Sequence, residues 1–170
     1  TGNITYKRTT PTVRTTDYIY WSSPVSGQTI ANFSPTVGSI KYYYDLGWKA
    51  PSDSDVMVKG LGYIIRGQVT SNDKYDASFV GVPHNGPAPI TANTPDKYYL
   101  VGNPYPSAID ADLFLNKNAG IIDGTIYFWT HNTPITNNIY TSNDYAMYNL
   151  LGGVGTSAAI NLGGNNSKPN

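Results

Sequence analysis

The clearest strand signal in the chain lies at residues 18–24, in the order Tyr18-Ile19-Tyr20-Trp21-Ser22-Ser23-Pro24. Four residues with high strand propensity are followed at once by two serines and a proline, and proline interrupts the hydrogen-bond ladder of a sheet. The same order recurs further on, where a strand predicted over residues 97–101 ends at Gly102-Asn103-Pro104. A short strand followed by a turn is therefore the unit from which this chain is built, and it predicts an all-β fold.

The composition supports the same fold class. Tyrosine is abundant at 15 residues, and the chain has 17 glycines and 12 prolines among its 170 residues. All 11 acidic residues are aspartate, which favours turns and caps, whereas glutamate, a good helix former, is absent. A chain with these preferences is expected to form many short strands joined by turns.

Charge and cysteine content exclude several function classes. Only 13% of the residues are charged and the formal net charge is zero, so neither a nucleic-acid-binding surface nor a polybasic membrane anchor is expected. The chain has no cysteine, which excludes thiolate catalysis and cysteine-ligated zinc. No apolar run approaches the ~18 residues that a membrane-spanning helix needs, so no membrane insertion is predicted.

Periodicity predicts nine strands and one helix. Residues 27–35 are predicted as a loop or single turn, and the tail 152–170 as a loop or frayed end. The helix is predicted near 107–115, with Ser107 as its N-cap and with Ile109, Leu113 and Phe114 facing the core. The predicted strands span residues 4–16, 18–21, 40–45, 56–58, 62–66, 75–82, 97–101, 124–129 and 145–151.

These elements predict an antiparallel β-sandwich, jelly-roll-like, with two sheets and one short helix. The chain is expected to be one module over residues 1–170 and a fragment of a longer protein. Recurring aromatic strands also raise the hypothesis of an internal duplication into halves 1–92 and 93–170, although chance recurrence explains such strands equally well. Gly60, Gly62, Gly102 and the Asn103-Pro104 turn are interpreted as structural, and if Gly62 takes a positive φ, alanine there should destabilise the fold by more than ~1 kcal/mol.

Several segments together resemble a module of large secreted proteins of flavobacteria and other Bacteroidetes, similar to cargo of the type IX secretion system. The most specific of them is Gly102-Asn103-Pro104-Tyr105-Pro106-Ser107; the others are residues 17–25, 60–67, 79–83 and 127–132. The resemblance implies export and display at the cell surface, outside the outer membrane, and supplies no catalytic residues. In that family a Gly-Gln-Gly-Phe-Phe-like strand follows the last glycine-rich loop. This chain ends before it, so that strand is expected from neighbouring sequence or from another chain.

The sequence offers little catalytic chemistry. No Gly-x-Ser-x-Gly nucleophile motif occurs, and His84 and His131 both lie in turn-like settings. Close aspartate pairs, such as Asp110 and Asp112, fit capping and solvent exposure better than a pair of catalytic carboxylates. The chain is therefore predicted not to be an enzyme, and a polysaccharide- or peptide-hydrolase accessory role is the weakest of three hypotheses.

Aromatic residues are the best ligand-binding candidates. Trp48 lies beside a glycine and a polar loop, and it is the first candidate. Tyr44 and His84 are the two further candidates for ligand binding. Trp21 and Trp129 are instead expected in the core, because they alternate within strands. No cofactor is expected, but calcium is an alternative because oxygen ligands suit it; the candidates are Asp53, Asp55 and Asp73, which fit better as turn residues.

Three functions remain open at this point. The first is an adhesion module that binds a glycan or another surface polymer. The second is a structural spacer or self-assembling unit whose open sheet edge pairs with a neighbouring domain or with a copy of itself. The third is the hydrolase accessory role. All three place the chain in a secreted or cell-surface protein.

Overall fold

The computed structural model describes residues 2–35, 41–69, 73–137, 139–140 and 143–154. Within these residues the chain forms eleven strands, all paired antiparallel, and two short helices, so the all-β class is confirmed. The chain divides into two compact units. Unit 1 comprises Thr1–Thr10, Tyr18–Gln68 and Asp76–Ala108, and unit 2 comprises Pro11–Asp17, Val69–Tyr75 and Ile109–Asn170. No helix in the described part is long and apolar enough to cross a membrane.

Unit 1 contains a four-stranded sheet and a two-stranded sheet. The first has the order β2-β5-β3-β4 and the second pairs β1 with β6. A four-residue helix, α1 (Ile30–Phe33), begins at the N-cap Thr29, whose side chain accepts a hydrogen bond from the Asn32 amide. The strands are β1 (Ile4–Thr9), β2 (Tyr18–Trp21), β3 (Lys41–Tyr44), β4 (Trp48–Lys49), β5 (Tyr63–Arg66) and β6 (Asp76–Gly81).

Three aromatic rings form the centre of the unit 1 core. Trp21 comes from β2, Phe33 from α1 and Phe79 from β6, and each is less than a tenth exposed. The ring of Phe33 lies 5.1 Å from that of Trp21 and 4.6 Å from that of Phe79. The two sheets of unit 1 therefore share one aromatic core, as in a sandwich.

Unit 2 contains a helix and two small sheets. The first sheet has the order β11-β10-β7, and β8 pairs with β9 in the second. The segment Pro11–Asp17 contributes Val13, which is fully buried and forms a β-bridge to Asp73 in the segment Val69–Tyr75. The elements are α2 (Ala111–Lys117), β7 (Thr125–Trp129), β8 (Ile135–Thr136), β9 (Ile139–Tyr140), β10 (Tyr145–Asn149) and β11 (Gly152–Val154).

The predicted helix exists but begins later than expected. Its N-cap is Asp110, whose carboxylate accepts a hydrogen bond from the Leu113 amide at 2.9 Å, and not Ser107. Ser107 lies in the preceding turn, where its carbonyl accepts a hydrogen bond from the Asn103 side chain at 2.7 Å, three residues before the N-cap. Leu115 is the buried residue of the helix, while Ile109 and Leu113 are about half exposed, so their predicted core positions are wrong.

Other differences concern short elements. The strand predicted over residues 4–16 ends at Thr9, and the strands predicted at 56–58 and 97–101 reduce to single bridges, Thr29↔Val56 and Leu61↔Val101. The predicted loop 27–35 contains α1, and the predicted tail begins with β11. The rest of that tail, 155–170, lies outside the described residues, as does the point at which a final strand would follow.

Two glycines explain how the Gly-Asn-Pro-Tyr-Pro-Ser segment is held in unit 1. The amide of Gly62 donates to the Leu100 carbonyl, and that of Gly102 donates to the Gly60 carbonyl. Gly62 does not take a positive φ, so that condition is not met; the positive φ of +82° belongs to Gly60. Gly62 is required for a steric reason, because a Cβ there would lie 2.6 Å from Leu100 Cγ.

Candidate ligand-binding surface

The β3–β4 hairpin places three aromatic side chains on one face of the unit 1 sheet. Side chains alternate along a strand, so Tyr42 and Tyr44 point to the same side, and Trp48 joins them because it pairs directly with Tyr44. The ring centroids of Tyr44 and Trp48 are 5.2 Å apart and edge to face, and those of Tyr42 and Trp48 are 6.5 Å apart. We call these three residues the hairpin cluster.

The hairpin cluster is accessible to a ligand. Trp48 is 50% exposed, and the two tyrosines are partly exposed. Across the sheet register Tyr42 lies opposite Ile64 of β5, which in turn lies opposite Tyr20 of β2. This face of the sheet continues from the cluster as apolar and aromatic side chains, but Ile64 itself is buried at 9% exposure, so the hairpin cluster is the accessible part that the proposal uses.

The hairpin itself is held by its loop and by an ion pair. Leu46 takes a positive φ of +52° in the three-residue loop, and the Asp45 amide donates to the Gly47 carbonyl. The carboxylate of Asp45 accepts a hydrogen bond from Lys49 Nζ, and this bond, with the charge of Asp45, raises the pKa of Lys49. Lys49 pairs with Tyr43, so it lies on the opposite face from Trp48. The ion pair thus closes the hairpin without covering the aromatic rings.

His84 is also in unit 1, but in a different local setting. Its amide donates to the Pro24 carbonyl at 3.0 Å. Burial, and then the positive charge of Lys59, lower the pKa of the His84 side chain. None of its described contacts involves Tyr44 or Trp48, so the structure does not bring the three ligand candidates into one group.

Lys59 holds the loop that follows His84, at residues 85–87. Lys59 Nζ donates to the carbonyls of Asn85 and Pro87, each at 2.8 Å, and the hydroxyl of Tyr105 donates to the Gly86 carbonyl at 2.6 Å. These bonds occupy the carbonyl groups of residues 85–87, whereas the Nε2 atom of His84 is buried without a hydrogen-bond partner among the described residues.

The three calcium candidates do not form one group. Asp53 accepts a hydrogen bond from Lys41 Nζ at 2.8 Å, and Asp55 accepts one from the Ser52 amide at 2.8 Å within the same turn. Asp73 belongs to unit 2 and accepts a hydrogen bond from the Lys74 amide. Among the residues described, no three histidine, cysteine or acidic side chains lie close enough together to hold a metal ion.

Unit 2 carries a second aromatic group, which includes one predicted core residue. Trp129 is only half-buried, whereas Trp21 is 8% exposed as expected. The ring of Trp129 meets Tyr140 at 4.7 Å and Tyr145 at 5.1 Å, both edge to face. Beside it on the same face of β7, Tyr127 is 45% exposed. Trp129 is therefore part of a partly exposed aromatic face, and its predicted core position is wrong.

Sequence analysis missed a buried polar cluster in unit 2. Asp17 and Asp144 are fully buried and His131 is 8% exposed. Asp17 accepts a hydrogen bond from the Arg14 amide at 2.9 Å, and Arg14 Nη2 donates to the Asn132 carbonyl at 3.4 Å. We call these five residues the Asp17–His131 cluster. They come from segments more than a hundred residues apart, and no spacing rule could have joined them.

The carboxylates of the cluster are held differently. Asp144 accepts hydrogen bonds from the amide and the hydroxyl of Thr133, at 2.7 and 2.6 Å. For Asp17, Oδ1 is buried without a hydrogen-bond partner among the described residues. Burial raises the pKa of Asp17, although its bond from the Arg14 amide and the Arg14 charge oppose the shift. Burial also lowers the pKa of His131, which has a positive φ of +42°. Because Asp17, His131 and Asp144 are buried, they offer no access to a substrate, and the burial that shifts the pKa values of Asp17 and His131 disfavours the charged forms of both.

Comparison with known proteins gives a family without an assigned activity. Residues 1–166 match the family described as "Domain of unknown function (DUF8693)", and the chain belongs to this family. No curated protein and no solved structure matches the chain.

Proposed function

We propose that this chain is an extracellular, non-catalytic adhesion module that binds a glycan through the hairpin cluster. The observation that carries the proposal is the half-exposed Trp48, held edge to face against Tyr44 on a closed hairpin. A rigid, exposed aromatic ring offers apolar contact to the flat face of a sugar ring. The tyrosine hydroxyls beside it can hydrogen-bond to sugar hydroxyls.

Preorganisation favours the hairpin cluster over other exposed aromatic residues. Tyr42, Tyr44 and Trp48 pack on one another and stand on paired strands. Little side-chain entropy is then lost when a ligand binds, which leaves more of the contact energy as affinity. The cluster also lacks a charged side chain on its own face of the hairpin, which suits an uncharged polymer.

A location outside the cell is part of the same proposal. Its support is the resemblance to secreted modules described above. A surface protein that carries this module would use it to hold the cell to a glycan-containing surface.

The hydrolase accessory role has weaker support. Its motivation was the close aspartate pairs, and these side chains have structural partners. Asp53 pairs with Lys41, Asp110 caps α2, and Asp112 accepts a hydrogen bond from the Tyr148 hydroxyl at 2.8 Å. A structural or assembly role is the second candidate, because β1 has an outer edge that no described strand pairs with.

The experiment is a binding screen of the purified chain against immobilised polysaccharides, namely β-glucan, chitin, xylan, mannan and one acidic polymer. Each is tested with calcium and with a chelator. Saturable retention on one polymer, competed by its soluble oligosaccharide, is the expected result. No retention on any polymer in either condition would contradict glycan binding and favour the structural role. Retention only with calcium would indicate that the loop of Asp53 and Asp55 binds calcium.

A further inference from the structure

Strand β1 presents a complete backbone edge. It pairs with β6 in an unbroken antiparallel register from Ile4↔Gly81 to Thr9↔Asp76. On the other side of β1, the described residues supply no strand and no backbone hydrogen bond. Within the described part of the chain, the amide and carbonyl groups that point away from β6 therefore have no strand beside them, and they can pair with a further strand.

The edge is held in a fixed conformation by its inner face. Ile4 and Tyr6 are half-buried, and the ring of Tyr6 lies 6.4 Å from that of Phe79 in the unit 1 core. At the other end, the Thr9 hydroxyl donates to the Asp76 carboxylate. A strand already fixed in an extended conformation loses little entropy when it accepts another strand.

Two cations mark this edge. Lys7 and Arg8 are both exposed, and none of the ion pairs in the described residues includes either of them. Lysine on an edge strand disfavours pairing with an identical strand. If two copies of β1 paired, the cations of each would lie beside those of the other, and like charges across a strand pair are destabilising. The edge thus discriminates against a second copy of this chain and favours an anionic partner.

We propose that the outer edge of β1 binds an extended acidic peptide segment of another protein by strand addition. The backbone ladder supplies affinity, and carboxylates placed opposite Lys7 and Arg8 supply specificity. This inference does not depend on glycan binding, because the hairpin cluster lies on β3 and β4 and none of its residues belongs to β1.

The test uses the purified chain and three synthetic six-residue peptides. The acidic peptide is acetyl-Thr-Val-Asp-Asp-Val-Thr-amide, whose consecutive aspartates point to opposite faces as Lys7 and Arg8 do; in the others asparagine or lysine replaces both aspartates. Residue-resolved amide hydrogen exchange is measured during each titration. We expect the acidic peptide to slow exchange at alternate amides of β1, with affinity at least about tenfold above that of the asparagine peptide and falling with added salt.

Charge reversal provides the second arm. The variant K7E/R8E is expected to bind the acidic peptide no longer and to bind the lysine peptide instead. The charge-matched variant K74E/K97E, at two exposed lysines outside β1, is expected to bind as the unmodified chain does. Equal binding of the acidic and asparagine peptides, or no protection of β1 by any peptide, would overturn the proposal. Protection of β1 that grows with protein concentration alone would overturn it in favour of a second copy.

Discussion

Phe33 and Phe79 lie almost parallel, with ring centroids 4.6 Å apart and an angle of 19° between their planes. Phe33 is 2% exposed and Phe79 is 1% exposed. The first comes from the four-residue helix α1 and the second from β6, so this contact joins a segment without strand character to one of the sheets of unit 1.

We expect F33A to lower the free energy of unfolding by about 3–5 kcal/mol, because it removes a buried ring and leaves a cavity against Phe79 and Trp21. Chemical denaturation followed by circular dichroism measures the change. Y98A is the control, since Tyr98 is 73% exposed in the same unit and should alter stability by less than about 1 kcal/mol. A similar loss in both variants would mean that α1 does not contribute to the core.

Gly62 gives a test of close packing. We expect G62A to destabilise unit 1 by about 1–3 kcal/mol, because the new Cβ would lie 2.6 Å from Leu100 Cγ. G47A is the matched control, since nothing lies within 4 Å of a Cβ there. In the double variant G62A/L100A, the loss of stability should be smaller than the sum of the losses in the two single variants, because truncating Leu100 relieves the contact. Full additivity in thermal melting would contradict this explanation.

Stability should depend on the protonation of His131. Burial lowers the pKa of His131 below its ordinary value of 6.5, so the folded state prefers the neutral ring. His131 therefore does not lower the free energy of unfolding above pH 6.5. As the pH falls from 6.5 toward the folded-state pKa of His131, the unfolded state binds a proton more readily than the folded state, and the free energy of unfolding decreases. The pKa of Asp17 is raised above 3.8, so Asp17 adds stability only at lower pH, as its carboxyl group becomes protonated in the folded state.

The variant H131N isolates this effect, because asparagine does not titrate and tolerates the positive φ at this position. We expect the melting temperature of H131N to change less than that of the unmodified chain between pH 7.5 and pH 5.5. H84N is measured beside it, because the pKa of His84 is also lowered by burial. If H131N keeps the whole pH dependence, His131 is not the group responsible.

Strands with strong local signals could be predicted from the sequence. The predicted strand 18–21 coincides with β2, and the strand predicted over 75–82 contains β6. Both combine high β propensity with alternation and end at residues that stop a strand. Local propensity and tertiary packing agree in these segments, which is the condition under which periodicity is informative.

Elements that depend on local hydrogen-bond competition could not be predicted as well. Both Ser107 and Asp110 have side chains that favour an N-cap, so local propensity does not distinguish them; in the structure Asp110 accepts the Leu113 amide, while Ser107 lies in the turn held by Asn103. α1 was missed for a different reason. Four residues are too few to show a helical period, and Phe33 is helical because its ring fills the core.

The candidate site was predicted in part. Tyr44 and Trp48 were chosen separately from the sequence, and the structure places them in direct contact across a hairpin. Tyr42 was not chosen, although its spacing of two from Tyr44 on a strand already implied a shared face. The Asp17–His131 cluster could not be found in this way, because its members meet only through long-range packing.

The most direct test of glycan binding is a calorimetric titration with the oligosaccharide that the screen identifies. Calorimetry is preferred to tryptophan fluorescence, because the variant W48A removes the reporter along with the side chain. The account predicts that W48A weakens binding by at least about tenfold, a loss of about 1.4 kcal/mol, while Y98A binds as the unmodified chain does. Equal affinity of W48A and the unmodified chain would show that the hairpin cluster is not the binding site.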